Sequence, residues 1–312
     1  MKYIGFLIAA VLSFIILPNS VVQADQESSA RMALYKKTSA LTDIPWEYIA
    51  AVDQYERQIH TNRKEGRVTA IEPDPMFWTG SAGEMPAAIF PEGWGADGNG
   101  DQKVQINNDE DVLWSMASYI KSFGTTPDDI KIALWNYYKR DLTVQTIVNT
   151  AEVFKKFQTV SLTKRDFPVP TQTNYSYKNT WGDARGFGGR RIHEGTDIFA
   201  NYGVPVKSTT YGVIEMKGWN KFGGWRIGIR DIYNIYHYYA HLNGFKEGMK
   251  IGDVVQPGDV IGSVGASGYG PPGTSGKFPP HLHYGMYQDN GKNEWSFDPY
   301  PYLRKWERMA KN

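Results

Sequence analysis

The sequence predicts an α+β chain of two domains, a small helical one followed by a mostly antiparallel β one. Three observations predict it. Apolar residues recur at helical spacing in successive segments up to Phe157. That period is lost across residues 158–176. Beyond them, short β-branched runs alternate with Gly and Pro turns. A chain of 312 residues has room for two domains at roughly 100–200 residues each. The expected divisions are 1–24 for a targeting segment, 25–157 for the helices, 158–176 for a linker and 177–312 for the β domain.

The N-terminus comes first. Lys2 precedes an apolar run from Tyr3 to Leu17, Pro18 ends it, and Val22 and Ala24 put small residues at the −3 and −1 positions of a cleavage site. The run is shorter than the ~20 residues that cross a bilayer. The pattern is that of a secretory signal peptide, with an uncleaved anchor as the competing reading. Either way the rest of the chain is expected outside the cytoplasm, touching a membrane only if this segment stays attached.

The helices follow. "TDIPWEYIAAVDQYERQI" offers Asp43 as a cap and Pro45 in the first turn, where its missing N–H costs nothing. "EDVLWSMASYIKSF" lines up Leu113, Met116, Ala117 and Ile120 on one stripe. "TPDDIKIALWNYY" starts at Thr126-Pro127 with two acids in its first turn, and Ile130, Ala133, Leu134 and Tyr137 form its stripe. Val144, Ile147, Val148 and Ala151 repeat the device in "LTVQTIVNTAEVFKKF". Stripes of one kind imply a shared core. In "QTVSLTKRDFPVPTQTNYS" period gives way to polar residues and two close prolines, as in a linker. Then "VPVKS", "GVIEMKG", "WRIGIRD", "NIYHYYAHL", "DVVQPGDVIGSVG" and "LHYGMY" read as short strands, and "YPYLRKWERMAKN" as a closing helix or tail.

Composition narrows the chemistry. The 34 basic and 33 acidic side chains leave no field of one sign, so no nucleic-acid partner is indicated. The chain has no cysteine, which excludes disulfides, thiolate metal sites and cysteine nucleophiles. Any metal must be held by His, Asp or Glu.

Five of the six histidines lie in the β region, where Asp197 joins them. His281 and His283 stand two apart in "PPHLHYGMY", so on a strand both imidazoles face one side. His193 and Asp197 in "HEGTD" can meet where a turn enters a strand, although in isolation a surface ion pair explains them better. Two His and one Asp with a fourth position open form the donor set of a catalytic zinc site. Spacing alone does not say which of His281 and His283 would be the ligand. His241 ends an aromatic strand, and His237, four earlier, is expected on the same face as a packed or solvated residue. His60, isolated among the helices, reads as structural. Gly195, Gly203, Gly212 and Gly265 read as turn formers that could also let a peptide approach the backbone.

"RIHEGTDIFANYGVPVKSTTYGVI", "YYAHL", "VVQPGDVIGSVGASG" and "PPHLHYGMY" together resemble the lysostaphin-type zinc metallopeptidases, which cut peptidoglycan cross-links and stem peptides. The resemblance runs from about Trp181 to Tyr287. With its helical front, the whole chain more narrowly resembles the L-alanyl–D-glutamate endopeptidases of spore-forming bacteria, which suggests a part in spore-cortex maturation. The resemblance implies one zinc ion per chain, held by His193, Asp197 and His283. It implies His241 and His281 as catalytic histidines off the metal and peptidoglycan stem peptides as partners. "YGPPGTSGKFPP" (269–280) is longer than the family's usual turn and is expected to reshape the substrate groove, which weakens the transfer of bond specificity and leaves D-Ala or Gly cross-links open.

"IPWEYIAAVDQYERQI" and "WNYYKRDLTVQTIVNTAEVF" resemble helices of lysozyme-like transglycosylase domains, with Glu56 at the acid's position, but Arg57 follows where that family has Ser. A wall-binding role is the expectation there, and a muramidase acting through Glu56 the alternative. Asp97, Asn99 and Asp101 have calcium-loop spacing without the glycine and glutamate that complete such a loop, so a solvated turn is favoured over a weak calcium site. A non-catalytic wall-binding relative would lack ligands that are all filled here. A carrier domain with Lys250 as acceptor would leave the histidines unexplained.

Overall fold

The computed structural model describes residues 19–60, 66–79, 93–185 and 191–312. The Tyr3–Leu17 run lies outside them. Within them, no helix is long and apolar enough to cross a membrane.

The first half holds α1 (Asn19–Thr42), α2 (Trp46–Ile59), α3 (Pro75–Thr79), α4 (Asp109–Phe123), α5 (Pro127–Tyr138) and α6 (Asp141–Phe157). Their stripes meet. Leu113, Met116, Ile120, Ile130, Leu134, Ile147 and Phe154 are buried in one cluster. Each large side chain of that kind stabilises the fold by roughly 1.5–3 kcal/mol. α5 starts as its sequence requires, with a reciprocal capping box between Thr126 and Asp129.

Asp43 does not cap α2. It adopts φ 64°, its N–H closes the end of α1 on the Ser39 carbonyl at 2.9 Å, and its carboxylate pairs with Lys121 at 2.7 Å. Only Asp43, Ile44 and Pro45 separate the two helices. A left-handed residue at the end of α1 turns the chain within that length, and α2 begins after Pro45 without a side-chain cap.

The second half holds β1 (Tyr175–Tyr177), β2 (Ala184–Arg185), β3 (Arg191–Ile192), β4 (Thr196–Ala200), β5 (Pro205–Lys207), β6 (Gly212–Asn220), β7 (Gly224–Asp231), β8 (Ile235–Phe245), β9 (Val254–Val255), β10 (Val260–Val264), β11 (His281–Asp289), β12 (Glu294–Phe297) and the closing helix α7 (Tyr300–Lys311). The main sheet runs β1-β4-β11-β8-β7-β6-β9. β12 pairs with β11, and β10 bridges β5 and β8. The pairings are antiparallel. One face buries Ile198, Ile214, Ile227, Ile229, Tyr239, Leu282 and Tyr284, and α7 covers part of it with Leu303 and Trp306.

Residues 158–174 form neither helix nor strand, yet they are packed. Val160 and Leu162 join the helical core, and Phe167 and Val169 join the core of the sheet. The two halves are also bound directly. Arg140 makes a two-pronged pair with buried Asp289 at 2.7 and 2.9 Å, Asn149 donates to Glu215 at 2.8 Å, and Gln54 donates to the Ile232 carbonyl at 2.9 Å.

Candidate active site

Three adjacent strands build the site. Asp197 on β4 stands directly across from His283 on β11, and His283 stands across from Ala240 on β8. Cross-strand partners have Cβ atoms ~4.5–5.5 Å apart, so the sheet itself delivers Asp197 and His283 to one point. His193 enters from the turn after β3. Gly195 makes the approach feasible, because a Cβ there would lie 2.6 Å from the His283 ring and 2.7 Å from the Tyr284 carbonyl oxygen. Its role is therefore the close approach of a histidine, rather than the turn or substrate contact that the sequence suggests.

The donor atoms converge. His193 Nε2 lies 2.8 Å from His283 Nδ1 and 3.1 Å from Asp197 Oδ1, and His283 Nδ1 lies 2.9 Å from Asp197 Oδ1. Tetrahedral ligands of an ion such as zinc stand roughly 3.3–3.6 Å apart, so the three atoms are already close to the spacing that one ion imposes. Orientation agrees. His193 Nδ1 sits 2.7 Å from the Thr180 carbonyl, which can only accept. A neutral His193 therefore carries its proton on Nδ1 and turns the Nε2 lone pair toward the Asp197 carboxylate. Two acceptors at that distance repel unless a cation or a proton lies between them. Burial alone would raise the Asp197 pKa. The close His193 and His283 rings and the nearby His281 outweigh it and hold the carboxyl well below the ordinary range. Among the described residues, His193, Asp197 and His283 form the one group of this kind that could hold a metal ion.

The other two histidines flank the group. His281 Nε2 lies 3.8 Å from Asp197 Oδ1, and the His241 and His281 ring centroids are 4.8 Å apart. Both are oriented from behind: His241 Nδ1 is 2.8 Å from the Ser267 carbonyl and His281 Nδ1 is 2.8 Å from the Pro279 carbonyl. Each neutral ring thus presents Nε2 as its acceptor. Burial, then the neighbouring His281 and His283, push the His241 pKa well below its usual value.

His237 corrects an expectation. It does not share a face with His241. It is fully buried in the core, with Nδ1 2.6 Å from the Tyr284 hydroxyl and Nε2 3.1 Å from Asp231. The alternation of β8 fails at His241, whose φ is 61°. That left-handed step, uncommon for a residue with a Cβ, re-aims His241 into the site while His237 and Tyr239 stay inside.

The site opens into a cleft of about 350 Å³ lined by His193, His241, His283, Arg226, Tyr238 and Glu294, among others. The 269–280 segment forms one border: the rings of Tyr269 and Phe278 pack on His241 at 6.1 and 4.6 Å.

Glu56 and His60 lie elsewhere, on a cleft of about 600 Å³ in the helical half, beside Trp94, Tyr119 and Tyr137. Glu56 is 3% exposed, and both of its oxygens are engaged, by the Tyr138 hydroxyl at 2.5 Å and by His60 Nε2 at 2.8 Å. Asp97 and Asp101 accept from the backbone N–H groups of their own turn, at 2.6 Å from Gly100, 2.7 Å from Gln102 and 2.9 Å from Lys103. Sequence reading missed Thr180, Ser267 and Pro279, which act through backbone carbonyls that leave no mark in residue identity. It also missed Arg226.

The sequence pattern of peptidase family M23 matches residues 191–299, a span that contains all three converging donors and both flanking histidines. The L-Ala–D-Glu endopeptidase of Bacillus subtilis (strain 168) is 59% identical over 296 residues, covering 91% of this chain and 90% of that protein. The chain belongs to peptidase family M23. Lysostaphin of Staphylococcus staphylolyticus is 36% identical to this M23 peptidase over 115 residues, 36% of this chain and 22% of that protein. Among solved structures, the catalytic domain of lysostaphin from Staphylococcus simulans matches 42% of this chain and 93% of its own, at 32% identity and a TM-score of 0.34.

Proposed function

We propose that this M23 peptidase is a zinc-dependent endopeptidase of bacterial peptidoglycan that hydrolyses the L-Ala–D-Glu bond of stem peptides. The observation that carries the chemistry is the convergence of His193, Asp197 and His283 donor atoms beside two further histidines anchored through Nδ1. The 59% identity over 91% of the chain to an L-Ala–D-Glu endopeptidase supports the bond.

His193 Nε2, Asp197 Oδ1 and His283 Nδ1 would hold the zinc. When bound, zinc supplies Lewis acidity toward a peptide carbonyl and lowers the pKa of an attacking water toward ~7. The remaining work falls to the protein. Thr180 fixes the His193 ring. His241 and His281, each with its Nδ1 proton tied to a carbonyl, present Nε2 to the reacting groups. One, neutral, takes the water's proton on Nε2, and the other, as the imidazolium, donates from Nε2 to the oxyanion or to the leaving amine. Burial keeps His241 neutral, as an acceptor must be. The signal-peptide pattern of residues 1–24 supports a place outside the cytoplasm, at the wall, and the family resemblance suggests spore-cortex maturation.

The test is digestion of purified peptidoglycan with and without a zinc chelator, with fragments identified by mass spectrometry. Chelator-sensitive release of peptides that begin at D-Glu is the expected result. A different new N-terminus would discard the bond. Glycan cleavage alone would discard the peptidase reading and turn attention to Glu56.

A further inference from the structure

The catalytic cleft carries a positive charge that the fold itself does not use. Arg226 lies on β7, half-buried in the cleft wall, with its guanidinium carbon 5.9 Å from the centre of the Tyr238 ring. Its Nε is buried and meets no hydrogen-bond acceptor, and no carboxylate among the described residues pairs with it. The acids of the same cleft are committed: Glu294 pairs with Arg230 at 2.7 Å, and Glu194 accepts from the Tyr287 hydroxyl at 3.2 Å. Arg230, on the same strand, shows the contrast, since Glu215 lies 3.3 Å from it on its other side. A buried donor left without a partner destabilises the fold until a ligand supplies an acceptor. A guanidinium fork matches a carboxylate better than any other common group.

We propose that Arg226 is a specificity-determining residue that binds the free carboxylate of the residue following the scissile bond. The proposal rests on the L-Ala–D-Glu reading above. A glutamate inside a peptide has two carboxyls and needs one of them to continue the chain. The other stays free, anionic and within a few bonds of the leaving nitrogen. His193, His241 and His283 line the same cleft as Arg226, so a substrate held at the metal centre lies within the same walls. Arg226 therefore selects for glutamate with its spare carboxyl unmodified and against the same peptide as its carboxamide.

The full zinc-loaded protein and its R226Q and R226K variants would be assayed on two synthetic stem peptides that differ only at that carboxyl, one free and one amidated. The wild type is expected to favour the free acid by about 10- to 100-fold in kcat/KM. In R226Q the preference collapses toward one, and R226K keeps part of it. The ratio of two rates within one variant does not depend on how much of the variant is folded. Equal cleavage of the two peptides by the wild type, or a preference unchanged in R226Q, would overturn the proposal while leaving the bond assignment intact. Cleavage of the wall at some other bond, with neither peptide cut, would overturn the bond assignment and this proposal with it.

Discussion

In the helical half, Glu56 faces His60 and Tyr138, and each of its oxygens has a protein donor. In the sheet, Asp197 faces His193, His283 and, further off, His281, and a lone pair of neutral His193 is turned toward it. Both carboxylates are buried and both keep histidine company. The first arrangement is complete as protein. The second has acceptors aimed at acceptors, an arrangement that a cation would complete. Within the sheet, His237 repeats the first pattern: both ring nitrogens are bonded and burial lowers its pKa. Burial and a carboxylate neighbour therefore do not separate a structural histidine from a functional one. What separates them is whether the donors and acceptors already balance.

The largest way to break this comparison is at the histidines flanking the donors. His281→Ala and His241→Ala are each expected to lower kcat by about 10²–10⁴, measured on a stem peptide, with the melting temperature as a control for folding. Loss below tenfold in both would remove them from the chemistry.

The smallest effect lies in the helical half. Its hydrogen bond to Glu56 raises the His60 pKa above 6.5, with burial opposing. A raised folded value means that the stabilisation is fully present below the unfolded pKa and is lost as pH rises through the folded one. His60 keeps 38% of its side chain exposed, so screening limits the effect to about a few tenths of a kcal/mol. Glu56→Gln should flatten that dependence in denaturant titrations across neutral pH, and should leave peptide cleavage nearly unchanged. A large loss of peptidase rate in Glu56→Gln would mean that the helical cleft takes part in the reaction.

Much of this was legible in the sequence, for reasons that differ by residue. The period of two placed His281 and His283 on one face, and the strand pairing brings Asp197 opposite His283. Thr126 and Asp129 announced the start of α5 by their own chemistry. His241 was harder, because its φ of 61° breaks the alternation on which pairing it with His237 relied. Asp43 misled in the same way: a capping residue type was used instead for a left-handed turn. Thr180 was out of reach, since any residue has a carbonyl. Nothing in the sequence marks Arg226, and only the commitment of Glu194 and Glu294 to other partners singles it out.

The most direct measurement is metal content by mass spectrometry of the purified wild type, His283→Ala and His281→Ala. One zinc per chain in the wild type, its loss in His283→Ala and its retention in His281→Ala is the outcome this account predicts. Zinc kept in His283→Ala, or lost in His281→Ala with the fold intact, would contradict the assignment of the His193, Asp197 and His283 centre.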